Sequence, residues 1–395
     1  MERNKLFQVF VPTCWLFGEG QLNHLHEQAL PGKKALIIIS NGKSTRANGY
    51  LSRTKEQLAQ SGVATSVFDK IQPNPLKETV MEGAAFVKAQ DADFIVALGG
   101  GSVIDSAKAI GYGLTNEGDV WDYYTGKAPQ ACMPIGTVLT IAAAGSEMSN
   151  ASIITNENGW LKRGAYSPYA YCKFAVMNPE LTYTLPAYQT ASGCTDIIVH
   201  SLERFFTKPD VKQLNLTDGI AETLIKNVMR NVKAALKKPD DYDARAEIMW
   251  SGTLSHNDIT GDRTLGDWAC HQLEHELGGM FDIAHGAGLA AVWGSWARYV
   301  MPVNPARFAQ LAVNVFGIPY TAGAEEKIAL EGIEAMEAFF KSIDMPTKIS
   351  DMDIHLTDEQ IKELAYKCSF NNTRTIGGFK ALNIDDMEKI YQMAK

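Results

Sequence analysis

Three of the eight histidines fall in WACHQLEHELGGMFDIAHGAG, residues 268–288. His271 and His275 are four apart, and on a helix residues four apart share one face. His285 follows Gly278-Gly279, a pair that predicts the end of that helix and a turn of the chain. Upstream, GCTDIIVHSLERF (193–205) carries Asp196 and His200, again four apart. One carboxylate and three imidazoles suit a divalent cation, because imidazole ligates Fe, Zn and Ni and a carboxylate lowers the net charge of the site. The expected metal ligands are therefore Asp196, His200, His271 and His285. His275 is placed just outside them, as a proton relay or cofactor contact. His24, His26, His256 and His355 have no partner spacing and are read as surface or structural residues. Cys270 points away from its neighbour His271 on a helix and is assigned to packing. Trp268, Trp293 and Trp296 read as core rather than as the wall of a pocket.

A second candidate for chemistry is GGGSVIDSAK (99–108). Its glycines let backbone N–H groups approach a diphosphate, and the start of the following helix favours an anion. Ser102 and Asp105, three apart, resemble a capping box. The spacing is not the G-x-G-x-x-G fingerprint of an ordinary dinucleotide fold. A third stretch is Ser40-Asn41-Gly42-Lys43-Ser44-Thr45-Arg46, at the end of the first strand-like run. An acidic residue there would hold the adenosine ribose diol and repel a 2′-phosphate. After Gly42 the stretch instead offers two cations and two hydroxyls, so Gly42, Lys43 and Ser44 are expected to contact NADP(H) in preference to NAD(H).

The elements that must position these residues follow from periodicity. ALIII (35–39), VATSVF (63–68), FIVAL (94–98) and MPIGTVLT (133–140) read as strands, with helices at 50–61, 77–90 and after Gly101. Strand–helix alternation predicts an α/β domain with a parallel sheet covered on both faces. From about Leu181 the pattern becomes all-helical, with helices expected at 187–206, 211–237, 243–258, 267–278, 285–300, 305–316, 323–343 and 384–394. The expected domains are 1–182, dinucleotide-binding, and 183–395, helical and metal-binding, with the site in a cleft between them.

Composition limits the alternatives. The 395 residues are 46% hydrophobic and 21% charged, with net charge −8, an ordinary globular balance. No basic run suits nucleic acid. No apolar stretch approaches the ~18 residues of a membrane span, and MERNKLFQVF lacks the apolar region of a signal peptide. Six scattered cysteines without a CxxC point to reduced thiols and a cytoplasmic protein.

GGGSVIDSAK, GCTDIIVH, DWACHQLEH and DIAHGAGLA together resemble signatures of the iron-containing alcohol dehydrogenase family, in its butanol-dehydrogenase-like branch. The resemblance runs along essentially the whole chain. It implies an N-terminal dinucleotide-binding domain, a C-terminal helical domain of the dehydroquinate-synthase-like type, and a divalent metal. Fe2+ is the expected ion, with Zn2+, Ni2+ or Mn2+ also compatible. Asp196, His200, His271 and His285 fall on the family's metal ligands and His275 on its extra histidine near the nicotinamide. Asn74, Gly100, Gly101, Ser102, Asp105, Thr140 and Lys162 fall on cofactor-contact positions. His256 falls where relatives carry an apolar residue, so it is left outside the site. The chain departs from the family at Ala144, where many members carry threonine before Gly145-Ser146-Glu147, and in SNGKSTRANG, where a tri-glycine turn is common.

The implied activity is reversible hydride transfer between NADP(H) or NAD(H) and a small primary alcohol or aldehyde such as butanol or butanal. A homodimer follows by analogy, with no nucleic-acid or membrane partner. Two rival readings are a metal-dependent lyase or cyclase on the same fold, and a dinucleotide-binding sensor without catalysis. The first needs several basic groups for a phosphorylated, carboxylated substrate, and few charges surround these histidines.

Overall fold

The computed structural model describes residues 9–208 and 215–395. The expectations for residues 1–8 and for the helix start at 211–214 lie outside them.

ALIII forms part of strand β2 (Lys34–Ser40), and all five of its residues are buried. Burial on both faces marks an inner strand of a parallel sheet. Alternate residues divide between two layers. Ala35, Ile37 and Ile39 join Phe94, Val96 and Leu98 in one apolar core with Tyr50, Leu51 and Leu58 of a helix. The strands are β1 (Cys14–Phe17), β2, β3 (Ala64–Ile71), β4 (Phe94–Gly99), β5 (Ile135–Leu139), β6 (Ala151–Asn156), β7 (Leu161–Tyr166) and β8 (Phe174–Met177). Helices α1 (Ser44–Ala47), α2 (Tyr50–Gln60), α3 (Lys77–Gln90) and α4 (Gly101–Thr115) connect the early strands.

The main sheet has the order β1-β8-β5-β4-β2-β3, and every pairing in it is parallel. From β2 the chain moves outward to β3, whereas from β4 it moves the other way to β5. The switch in direction therefore lies between β2 and β4, the place where such sheets bind ligands beyond their carboxyl ends. Ile38 is registered on Ala97, two residues before Ser40 and Gly99 respectively. The two sequence stretches expected to bind a nucleotide thus leave the sheet side by side.

Four strands were not expected. β1 and β8 have four residues each, too few to show a period, and β6 and β7 form a separate antiparallel hairpin. The capping box expected from Ser102 and Asp105 is absent. α4 starts after Gly100 with no side-chain cap, because Asp105 turns inward to accept from the Ser146 hydroxyl at 2.5 Å and the Ile153 N–H at 3.1 Å.

The helical half comprises α5 (Ala187–Phe205), α6 (Asn215–Lys237), α7 (Tyr242–Ser255), α8 (Ala269–Phe281), α9 (His285–Val300), α10 (Pro305–Phe316), α11 (Glu325–Lys341), α12 (Asp358–Cys368) and α13 (Ile384–Ala394). Gly278-Gly279 does not end α8, which runs on to Phe281 and stops at Asp282 with φ 51°. Glycine costs a helix interior ~1 kcal/mol, less than the ~1.5–3 kcal/mol gained by fully burying a leucine. Leu273 and Leu277 are both fully buried.

The chain divides into two compact units. One consists of Phe10–Leu185 with Pro239–Thr253; the other holds Pro186–Lys238 and Leu254–Lys395, with Val9. The return of Pro239–Thr253 to the sheet-bearing unit has a local cause. Trp250 packs edge-on against Trp15 at 5.0 Å and lies 5.3 Å from Phe17. The Thr253 hydroxyl donates to the buried Glu147 carboxylate at 2.7 Å. No described helix is long and apolar enough to cross a membrane.

Candidate active site

Asp196 and His200 lie on one face of α5, and both are buried. His271 belongs to the first turn of α8, and His285 is the first residue of α9. The approach of α9 to α5 depends on Gly286. A Cβ there would sit 1.9 Å from the Ser192 carbonyl oxygen. Gly288 likewise leaves room for Glu274, whose Cγ would be 2.8 Å from a Cβ at that position.

The result is a convergence on a single atom. Asp196 Oδ1 lies 3.4 Å from His200 Nδ1, 3.5 Å from His271 Nε2 and 3.7 Å from His285 Nε2. Asp196 Oδ1, His200 Nδ1 and His271 Nε2 are buried and make no hydrogen bond. Leaving a buried polar atom unsatisfied costs ~1–3 kcal/mol, so three of them facing one another call for a shared partner. A divalent cation satisfies all of them at once, and the carboxylate–imidazole donor set suits it. Two rings of the cluster are pushed in opposite directions. Burial opposes protonation of His271, but Glu203 and Asp196 outweigh it and push the ring up to about 10. His200 is pushed far below the ordinary imidazole value, by burial first and then by the rings of His256 and His271 and the Arg204 guanidinium.

Behind the imidazoles stand two fully buried carboxylates. His271 Nδ1 is hydrogen-bonded to Glu203 Oε2, and His285 Nδ1 to Glu274 Oε2. Neither glutamate was singled out from sequence. The signal for Glu203 was present: with Asp196 and His200 it continues the spacing i, i+4, i+7 on one helical face. His275 stands beside the convergence rather than in it. Its ring centroid is 5.8 Å from that of His285, and its ring, Glu274 and His285 offer ligand-type atoms within 4.8 Å of one another.

In the sheet-bearing unit, Gly99, Gly100 and Gly101 each have a packing reason besides phosphate approach. A Cβ at these positions would meet Val103 at 2.5 Å, Ile141 at 3.0 Å and Ala144 at 3.2 Å. Thr140 follows β5, and its N–H donates to Gly99 carbonyl at 3.0 Å, so it borders the same loop. Asp105 is engaged with Ser146 and Ile153 as described. Lys108, wholly buried, donates to Ser146, Ser149 and Ala151 and fixes the same segment. Asn74, with φ 52°, sits in the loop after β3. That loop joins the hairpin, since Thr155 N–H donates to Pro75 carbonyl at 2.8 Å and Thr155 is the cross-strand partner of Lys162. Gly42 and Lys43 line a cavity of about 290 Å³ with Ser40, Asn41, Arg46, Ala47 and Asp69, while Ser44 begins α1. Asp69 supplies the acidic residue that the β2 turn lacks. It comes from β3 and pairs with Arg46 at 2.6 Å.

Residues 12–179 match the domain described as iron-containing alcohol dehydrogenase, and residues 190–395 match its C-terminal domain. The chain belongs to the iron-containing alcohol dehydrogenase family. This alcohol dehydrogenase is 37% identical to a probable NADH-dependent butanol dehydrogenase 1 of Bacillus subtilis, over 97% of this chain and 98% of that one. It is 32% identical to the NADPH-dependent aldehyde reductase YqhD of Escherichia coli, over 98% of this chain and 99% of that one. Among solved structures, an NADH-dependent butanol dehydrogenase A of Thermotoga maritima superposes with TM-score 0.93 at 33% identity, covering all of both chains. These relatives put the alcohol dehydrogenase in the butanol-dehydrogenase-like branch.

His256, expected to be a surface or structural residue, lies beside the cluster. His256 packs on His200 with ring centroids 4.3 Å apart, and lies 5.9 Å from Trp268. It follows α7 without any helical spacing to the other histidines, so only tertiary folding brings it to the alcohol dehydrogenase's imidazole cluster. The tryptophans also separate. Trp293 and Trp296 are fully buried core residues, whereas Trp268 packs on His271 with centroids 5.3 Å apart. Cys270 is buried, as assigned. His24 and His26 pair with Glu27 and Gln57, and His355 is exposed.

Proposed function

We propose that this alcohol dehydrogenase catalyses reversible hydride transfer between a nicotinamide nucleotide and a small primary alcohol or aldehyde, butanol and butanal being the test pair. The observation that supports it most is the buried Asp196 oxygen facing three imidazole nitrogens at 3.4–3.7 Å. Asp196, His200, His271 and His285 would hold a divalent ion, Fe2+ in the first instance, with Zn2+, Ni2+ and Mn2+ suited to the same donors. When bound, the ion supplies Lewis acidity at the substrate oxygen and the nicotinamide donates or accepts the hydride.

The chain's own residues do the rest in this reading. Gly100, Gly101 and Ser102 carry the diphosphate at the start of α4. Asn74, Thr140 and Lys162 lie around the same nucleotide, and Asp105 holds the adjoining segment in place. His275 moves the alcohol proton towards solvent. Residues 1–182 thus serve the nucleotide and residues 183–395 the metal and substrate, in a cytoplasmic homodimer.

For the nucleotide, Lys43 and Arg46 favour the 2′-phosphate of NADP(H), with Gly42 and Ser44 beside them. A second reading, NAD(H), is favoured by Asp69, a carboxylate in the same cavity. The deciding experiment is steady-state turnover of butanal with NADPH and with NADH after Fe2+ loading, with elemental analysis of the same protein. Absence of turnover with both coenzymes on metal-loaded protein would overturn the proposal.

A further inference from the structure

We propose that Glu203 and Glu274 are positioning residues that commit His271 and His285 to the tautomer whose Nε2 lone pair faces Asp196. This inference rests on the metal reading of the cluster. The geometry carries it. Each glutamate side chain is completely buried, and each places Oε2 on the Nδ1 of one imidazole. A carboxylate accepts and does not donate, so each Nδ1 must carry the proton. The opposite nitrogen of each ring is then the one left to offer its lone pair to a cation, which displaces any proton it carries, and each of those nitrogens is the one turned towards Asp196 Oδ1.

Both charges are built into the fold. Glu203 Oε1 accepts the backbone N–H of Cys270 at 2.7 Å and of His271 at 3.3 Å. It therefore sits at the N-terminus of α8, where unpaired N–H groups and the helix dipole favour an anion. Glu274 is held differently. It projects from the second turn of α8 into the space kept open by Gly288 and reaches the first residue of α9. The two carboxylates thus clamp imidazoles from two different helices. A carboxylate behind an imidazole also raises its basicity as a ligand. With Asp196 they bring three acidic side chains to the cluster, a negative surrounding that favours a cation.

The test uses the full chain with Glu203→Gln and Glu274→Gln, loaded with Zn2+ as the probe. Metal affinity is measured by chelator competition, and imidazole tautomers by long-range 15N–1H NMR before the metal is added. The expected result is an affinity ~10–100-fold weaker in each variant, the usual cost of losing such a partner. Mixed tautomers should appear for His285 in Glu274→Gln. Glu203 also accepts the first N–H groups of α8, so Glu203→Gln is the variant at risk of misfolding, and Glu274→Gln is the second variant that keeps the test decisive. Wild-type affinity with unchanged tautomers in Glu274→Gln would overturn the proposal. So would binding of two zinc equivalents by the wild type with loss of one in Glu274→Gln, since Glu274 would then be a ligand itself. Failure of the wild type to bind any metal would instead overturn the metal reading on which this rests.

Discussion

Glu203 divides its carboxylate between the ring of His271 and the backbone that carries it: Oε2 is on the imidazole Nδ1, and Oε1 is on the N–H groups of Cys270 and His271. Removing the side chain leaves buried donors without acceptors, at ~1–3 kcal/mol. Glu203→Ala is therefore expected to lose at least that much stability in urea unfolding. A loss below ~0.5 kcal/mol, the range of an ordinary surface change, would mean that the start of α8 finds acceptors elsewhere.

Asp196 is the atom around which the imidazoles gather, so Asp196→Asn should lower bound metal more than either glutamate variant does, beyond ~10–100-fold. Elemental analysis after dialysis reads this directly. Retention of wild-type metal content would remove Asp196 from the ligand set.

Gly286 and Gly219 give opposite expectations for the same substitution. At Gly286 a methyl group would fall 1.9 Å from the Ser192 carbonyl, whereas at Gly219, on α6, nothing lies within 4 Å. Gly286→Ala should cost ~1–3 kcal/mol by overpacking and displace His285, with loss of metal affinity. Gly219→Ala should gain ~0.4–1 kcal/mol by restricting the unfolded chain. Paired thermal melts with metal analysis check both.

Arg46 and Asp69 form an ion pair in the lining of the cavity beyond β2. If a 2′-phosphate binds there, Arg46→Ala should raise KM for NADPH about tenfold, the value of one hydrogen bond to a charged group. KM for NADH should change little. Equal effects on the two coenzymes would place the 2′ position elsewhere.

The Tyr299 hydroxyl donates to Asp386, which also accepts from the Asn383 N–H and lies 3.7 Å from Lys380. Burial alone would raise the Asp386 pKa, yet these partners hold it below the ordinary 3.8. The unfolded chain thus takes up this proton more readily than the folded one. The stabilisation is complete above the unfolded value and fades as pH falls through the folded one. Tyr299→Phe should be less stable than wild type near neutrality, and the gap should narrow below about pH 4. A gap that stays constant down to pH 2 would detach it from Asp386.

The helical pairs Asp196/His200 and His271/His275 were legible because a 3.6-residue period writes itself into sequence. β2 and β4 were legible as unbroken apolar runs. His256 was not, since its place beside His200 depends on how the chain returns after α7. Gly278-Gly279 was misread as a terminator because local propensity ignores the burial of Leu273 and Leu277. Asp105 was misread as a cap because the Ser146–Ile153 segment that claims its carboxylate lies some forty residues on. Asp69 escaped notice because it enters the β2 turn from the neighbouring strand.

The placement of Trp250 and Thr253 against Trp15, Phe17 and Glu147 has a consequence for biosynthesis. A polypeptide stopped after Leu185 would leave those aromatic faces wet and the buried glutamate without its hydroxyl partner. The sheet-bearing half cannot finish maturing on the ribosome until residue 253 has cleared the exit tunnel, by which time α5 and α6 are outside and the larger part of the helical unit, Leu254–Lys395, is still to follow.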